Sequence, residues 1–200
     1  VTRKTMYQEV YYETSSRIAE RMIQEAISWM LDNKKMSRNS LLNVRKYVLL
    51  DDYELFASMK AAEGFASEVL NRIKEGRLYG TLISGGPGDF DLIKKILMGS
   101  KERHYRKLRQ LEQEIAEKFR LRKEDVLIDV IRVPAFKSER VYVELRGELP
   151  KLLEEVSPVA KTLADLGEIN RVNVYINEEK VKNRREDIRQ SIEKFLKGNL

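Results

Sequence analysis

The sequence predicts an α+β fold, in which an N-terminal helical region precedes a small ferredoxin-like, split βαβ sheet lobe with a C-terminal helix. Three observations lead there. Apolar residues recur at helical spacing through residues 1–76. From Leu78 onward the pattern changes to strand, helix, strand, strand, helix, strand, helix, which is the order of a split βαβ sandwich with an added terminal helix. The segments VLIDVIRV, RVYVELRG and RVNVYIN read as strands. The chain therefore divides into a helical region over 1–76 and an α+β lobe over 77–200.

Each element has its own signal. Met6, Val10, Tyr11, Ile18, Met22, Ile23, Ala26, Ile27 and Met30 trace one amphipathic helix from 6 to 30. NKKMSRN breaks it, a second helix is expected over 40–50, and Asp51 is placed to cap the segment carrying Tyr53, Leu55, Phe56 and Met59. Gly64 and Gly76 punctuate the chain around the short helix FASEVLNRIKE. LYGTLIS reads as a strand, SGGPGDFD as a turn into a short helix over 92–98, and residues 101–120 as a long charged helix. Two strands joined by PAFKSE follow. A helix over 152–166, interrupted at Ser157 and Pro158, leads to RVNVYIN and a last helix over 179–196.

The composition bounds the function. Lysine and arginine number 38 against 32 acids, giving a net charge of +6 and a pI near 9.3. Such a balance suits polyanionic partners, but the signs are mixed along most clusters, so solvated helix faces account for much of it. The absence of cysteine excludes disulfides, thiolate nucleophiles and zinc–thiolate clusters. No apolar run reaches the roughly 20 residues of a bilayer span, and VTRKTMYQEVYYE has no signal-peptide core, so a cytoplasmic chain without membrane partners is expected. The wealth of Lys, Arg and Glu is a compositional hint of a thermophile.

Few motifs carry chemistry. In SGGPGDFD no Gly-Lys-Ser/Thr follows, Pro87 removes a donor, and Asp89 and Asp91 stand where phosphates would lie, so a turn capped by Asp89 is the favoured reading. Adjacent Asp51 and Asp52 suit a helix start better than a cation. His104, the one histidine, sits among charged residues on a helix and reads as exposed and non-catalytic. Asp125 and Asp129 flank a strand entry without a histidine partner, a poor acid–base pair. Catalytic and metal-ligating sets are thus expected to be absent. Arg3, Tyr7 and Tyr11 follow one another at intervals of four, which on a helix would face a guanidinium and two phenols toward one anionic or planar ligand, although packing is the commoner role for such residues.

Four segments together resemble the archaeal and bacterial HD-domain phosphohydrolases, a family that includes the vertebrate dNTP triphosphohydrolase. RKTMYQEVYYETSSRIAERMIQEAI resembles the helix after the last metal-binding aspartate, and LLDDYEL the acidic turn before the next helix. LRKEDVLIDVI resembles the first strand of the family's C-terminal lobe, and LLEEVSPVAKTLADLGEINRVNVYI its closing helix and strand. The likeness spans residues 3–177. Where family members commonly continue Val-Tyr-x-His-Lys, this chain has Val10, Tyr11, Tyr12, Glu13 and Thr14, and it contains no His-Asp pair.

The resemblance implies the C-terminal assembly or regulatory portion of an HD-type nucleotide phosphohydrolase, catalytically inactive alone, with an HD catalytic domain upstream. The family's divalent transition metal or Mg would then be held elsewhere, with no cofactor in this chain. In nucleotide-regulated relatives the matching segments contact effector phosphates, often at subunit boundaries. That implies a nucleotide site of Arg3, Tyr7, Tyr11, Arg122 and Lys123, and a homo-oligomer. Self-association is expected through the helical half, where Tyr12 and Trp29 add apolar surface. The rival reading is a basic nucleic-acid-binding module with a ferredoxin-like sheet, although paired exposed aromatics of the RNP type are missing and Tyr142 and Tyr175 stand alone.

Overall fold

The computed structural model describes residues 13–86, 89–90, 93, 101–134, 141–144, 149–165 and 168–197. Helix α1 (Thr14–Asp32) begins where Glu13, in extended backbone, accepts hydrogen bonds from the Ser15 and Ser16 amides. Of the helix expected over 6–30, residues 6–12 lie outside the described residues, and Glu13 is not helical but caps the start at Thr14. The helix expected over 40–50 is two short ones, α2 (Arg38–Leu42) and α3 (Val44–Val48). Asn43 divides them: its amide N–H closes α2 on the Asn39 carbonyl, and its side-chain oxygen accepts from the Arg45 and Lys46 amides.

Asp51 caps α4 (Asp52–Ala62) through the Glu54 amide at 2.8 Å, as expected. The corner into α5 (Gly64–Lys74) is tight, with positive φ at both Glu63 and Gly64. At Gly64 an added Cβ would lie 2.8 Å from the Trp29 ring, so glycine serves both the backbone and the close approach. Gly76, at φ +68°, ends α5, and the sheet region follows.

Strands β1 (Gly80–Gly85), β2 (Val126–Pro134) and β5 (Glu168–Ile176) form an antiparallel sheet in the order β1-β5-β2. β1 and β2, joined through α6 (Lys101–Phe119), both run antiparallel to β5, so they are parallel to each other with β5 between them. That is a split βαβ unit. The α+β class holds, and the detail of the sheet differs from the ferredoxin expectation. Among the described residues of RVYVELRG, Tyr142–Val143 form β3, which pairs with β4 (Lys151–Leu152) in a separate two-stranded ladder, and β5 takes the central place in the larger sheet. Helices α7 (Leu153–Val156) and α8 (Pro158–Asp165) are divided at Ser157, as the Ser-Pro pair predicts. The last helical stretch is α9 (Glu178–Val181), a 3-10 turn and α10 (Arg185–Leu196).

Strand alternation distributes two cores over the two faces of the sheet. Val126, Ile128, Val172, Val174 and Ile176 pack with Leu111 and Ile115 of α6 and Ile188, Ile192 and Leu196 of α10. Leu127 and Tyr175 point the other way, into a cluster with Met22, Ala26 and Met30 of α1, Met59 of α4 and Phe65 and Val69 of α5. The irregularity between Thr81 and Ile83 turns both Leu82 and Ile83 into the first cluster. The helical half thus completes its core with residues of the sheet.

Candidate functional site: the charged seam between the first helix, the sheet edge and the basic junction

The buried face of α1 is not wholly apolar. Arg17, Arg21 and Glu25 recur at intervals of four beside Ile18, Met22 and Ala26, so they share the surface that meets the sheet. Arg17 grips Asp129 with two donors, Nε at 3.1 Å and Nη2 at 2.6 Å. Asp129 also accepts from the Tyr175 hydroxyl at 3.3 Å; Asn173 donates to that hydroxyl and accepts from Ser84 Oγ. A polar chain therefore crosses all three strands on the helical side of the sheet. Burial, and then the Asp129 charge, push the Tyr175 hydroxyl above its ordinary pKa, which keeps it a neutral donor.

One turn further, β2 presents an open edge. Ile128 lies where its N–H and C=O point away from β5, and both are satisfied by charged side chains. Glu112 of α6 accepts from the Ile128 amide at 2.7 Å, and Arg21 Nε donates to the Ile128 carbonyl at 3.3 Å. Arg21 and Glu112 also pair with each other at 2.7 Å, and Arg109 bridges Glu112 to Glu25. Burial pushes the Glu112 carboxyl upward, against the pull of Arg21, the Ile128 amide and Arg109. Two arginines and two carboxylates, three of the four fully buried, thus close the edge of the sheet and tie α1 to α6.

Arg122 and Lys123 stand beside this seam at the entry to β2. Arg122 meets Glu68 of α5 through two donors, holds Asp125 through two more, and lies over the Phe65 ring at 5.6 Å. Burial alone would raise the Asp125 carboxyl, but Arg122 and Asn177 hold it below its ordinary value. Lys123 pairs with Asp32 at the end of α1 at 3.4 Å. Asp32, Arg106, Arg109, Gln110, Gln113 and Lys123 line a groove of about 220 Å³.

Of the expected nucleotide residues, the structure brings Arg122 and Lys123 to one junction, both engaged by carboxylates. Arg3, Tyr7 and Tyr11 lie outside the described residues, as does Tyr12. Trp29, expected on a free face, instead packs against Phe65 with ring centroids 6.4 Å apart. In the Gly-rich turn, Asp89 accepts from the Gly86 amide at 2.7 Å, so a carboxylate already occupies a phosphate's place. His104 is half-buried on α6 rather than exposed. Among the described residues, no group of three or more His, Cys, Asp or Glu side chains is placed to hold a metal ion. With one histidine and no His-Asp pair, the chain's own donors do not fit an HD metal centre. No described helix is long and apolar enough to cross a membrane. The nucleic-acid reading needs an open sheet face, whereas both faces are covered and Tyr175 is buried.

Residues that the sequence reading passed over carry the seam: Arg17, Arg21, Glu25, Arg109 and Glu112. Their signal was present, since charges at intervals of four adjoin the apolar stripe of α1, and Asp129 interrupts the apolar run VLIDVI.

Residues 1–197 match the family described as HD associated region. The chain belongs to that family. Among curated proteins, an uncharacterized protein of Methanocaldococcus jannaschii is 29% identical over 199 residues, covering 98% of this chain and 41% of its own length. A hypothetical protein from Aquifex aeolicus has a similar fold, with a TM-score of 0.58 and 19% identity over 96% of this chain and 42% of its own. A phosphohydrolase from Bacteroides thetaiotaomicron gives 0.54 and 12%, over 87% of this chain and 47% of its own. The chain spans less than half the length of these relatives.

Proposed function

We propose that this HD associated region is the non-catalytic portion of an HD-type nucleotide phosphohydrolase, set against an HD domain for assembly and effector binding, and inactive alone. The observation that carries the proposal is the family match along residues 1–197. The seam supports it physically. The Arg–Glu network fixes α1 to the sheet edge and to α6 and so ties the two halves of the chain together.

The effector part of the reading places nucleotide phosphates at Arg122 and Lys123, with Arg3, Tyr7 and Tyr11 contributing from the N-terminal segment. Entry of a phosphate there exchanges one anion for another: Glu68 leaves Arg122, or Asp32 leaves Lys123. Both carboxylates are partly solvated, so the exchange does not strand a buried charge. Arg106 lines the adjoining groove beside Lys123, whereas Arg109 there is already paired with Glu25 and Glu112. Because Arg122 and Lys123 already have partners, affinity is expected to be weak, with a Kd of roughly micromolar to millimolar, falling as salt rises.

Calorimetric titration of GTP and dNTPs into wild type, Lys123→Ala and an Arg3→Ala, Arg122→Ala double variant tests the assignment. Weaker binding by both variants is expected. Absence of binding at low salt, or equal binding by all three proteins, removes the site.

A further inference from the structure

Two open grooves meet at Asp32, in the last turn of α1. One, of about 600 Å³, runs between the end of α1 and the start of α2 and is lined by Leu31, Asp32, Lys34, Met36, Ser37 and Arg38. The other is the groove of about 220 Å³ beside the seam, where Arg106 and Lys123 join Asp32 in the lining.

The charges along this path do not cancel. Arg109 and Glu112, which also line the second groove, are consumed in the buried network with Arg21 and Glu25. Lys123 has Asp32 at 3.4 Å and Glu124 at 4.0 Å. Lys34, Arg38 and Arg106 are exposed and, unlike the arginines of the seam, have no carboxylate partner among the described residues. Between Asn33 and Leu50 the chain adds Lys35, Arg45 and Lys46 and no acid; the next acids are Asp51 and Asp52 at the start of α4, where Asp51 is turned onto the Glu54 amide. The cations are strung through contiguous open grooves, whereas a mononucleotide pocket gathers them about one phosphate group. Leu31 and Met36, both partly buried, give the wider groove apolar surface for the face of a base. The Ser37 hydroxyl there is engaged by the Asn39 amide, and Lys34 and Arg38 are solvated donors suited to phosphates, so the lining favours backbone and base face over sequence.

We propose that a single-stranded nucleic acid lies along these two grooves, with its phosphates on Lys34, Arg38, Arg106 and Lys123 and a base against Leu31 and Met36. Lys123 exchanges Asp32, whose side chain is 48% exposed, for a phosphate, so no buried charge is stranded. A duplex is excluded because its base faces are stacked away from the apolar lining. The faces of the sheet, covered by helices on both sides, take no part. Lys123 is shared with the effector site proposed above, but Lys34 and Arg38 are not, so the inference goes beyond that reading and stands or falls without it.

The test is fluorescence polarisation of labelled oligouridine, oligothymidine and a duplex of the same length, titrated with the 200-residue chain over a range of salt. Binding of single strands is expected, with the tighter of the two naming RNA or DNA as the natural ligand, and weaker binding of the duplex. Log K should fall against log salt with a slope of about −3, from about −0.7 for each of the four phosphates held. Lys34→Ala, Arg38→Ala and Arg106→Ala should each make the slope shallower by about 0.7. Arg184→Ala, which removes an exposed arginine before α10 with no carboxylate partner among the described residues, should leave the slope as it is. GTP titrated into Arg38→Ala reads the effector site separately and should bind as it does to wild type. No binding of either single strand at low salt, equal losses in Arg184→Ala and Arg38→Ala, a duplex bound as tightly as a single strand, or binding of phosphatidylserine vesicles in place of oligonucleotides each overturns the inference.

Discussion

Asp129 sits in the middle of an apolar strand, and Arg17 makes its charge tolerable by reaching it with two donors from 112 residues away. Removing Arg17 leaves the buried Asp129 carboxylate with only the Tyr175 hydroxyl to answer its charge, and removing Asp129 leaves half-buried Arg17 with the more exposed Glu20. Arg17→Ala and Asp129→Ala are each expected to destabilise the fold by about 3–5 kcal/mol, with the double variant losing much less than the sum. Urea denaturation of the three proteins measures this, and strictly additive losses would show that the pair is not coupled. Asp125 makes a pH prediction. Its folded pKa lies below the ordinary value, so its contribution to stability is complete above the ordinary carboxylate range and is lost as pH falls through the depressed value. Wild type should therefore lose more stability than Asp125→Asn as pH falls below the ordinary carboxylate value, and parallel curves would contradict the ionised Asp125–Arg122 contact. At this scale the sequence was half legible. An acid inside VLIDVI advertises a buried partner, but nothing local says that Arg17 is that partner, because the contact exists only after α1 packs on β2.

Caps and corners decide where the elements end, and these were the most legible features because their chemistry is local. Asp51 caps α4 as its position before an apolar-periodic segment requires, and Asp51→Ala should cost about 1 kcal/mol in thermal or urea unfolding. Gly64 is the stronger test of the α4–α5 corner. Gly64→Ala meets both a positive φ and the Trp29 ring, so a loss of more than about 1 kcal/mol is expected, with a change in Trp29 fluorescence as the ring moves. A neutral substitution would mean that the corner relaxes freely. Glu13 and Asn43 show the limit of periodicity as a signal. Both interrupt runs whose apolar spacing alone reads as continuous helix, because a side-chain oxygen folded onto the next amides competes with the helical hydrogen bonds. The destination of RVYVELRG was illegible for a different reason. Its alternation is genuine, but strand partners are chosen by long-range packing, and β5 fills the place beside β2 that a hairpin successor would have taken.

Over the whole molecule, the sheet is sandwiched between two helical layers, and its β2 edge is closed by buried ions rather than by another strand. A domain boundary at residue 76 could be read from glycine placement and the change of period, yet the helical core needs Leu127 and Tyr175 from beyond it. Of the expected nucleotide site, the basic pair Arg122–Lys123 was legible as a sequence feature. Asp125, three residues from Arg122, was a local partner, but neutralisation by Glu68 and Asp32 was not legible, because those carboxylates come from α5 and α1. Under the function proposed above, this HD associated region acts with an HD domain and is inactive by itself. The most direct test is an assay of dNTP hydrolysis with Mg, Mn, Co or Ni ions, using the chain alone, a separately produced HD-type phosphohydrolase domain alone, and the two combined. The expected result is no turnover by the chain, a complex of the two, and hydrolysis by the HD domain that changes when the chain is added. Metal-dependent turnover by the chain alone that disappears on substituting Asp51 or Asp129, or an HD domain that neither binds the chain nor responds to it, would contradict the claim.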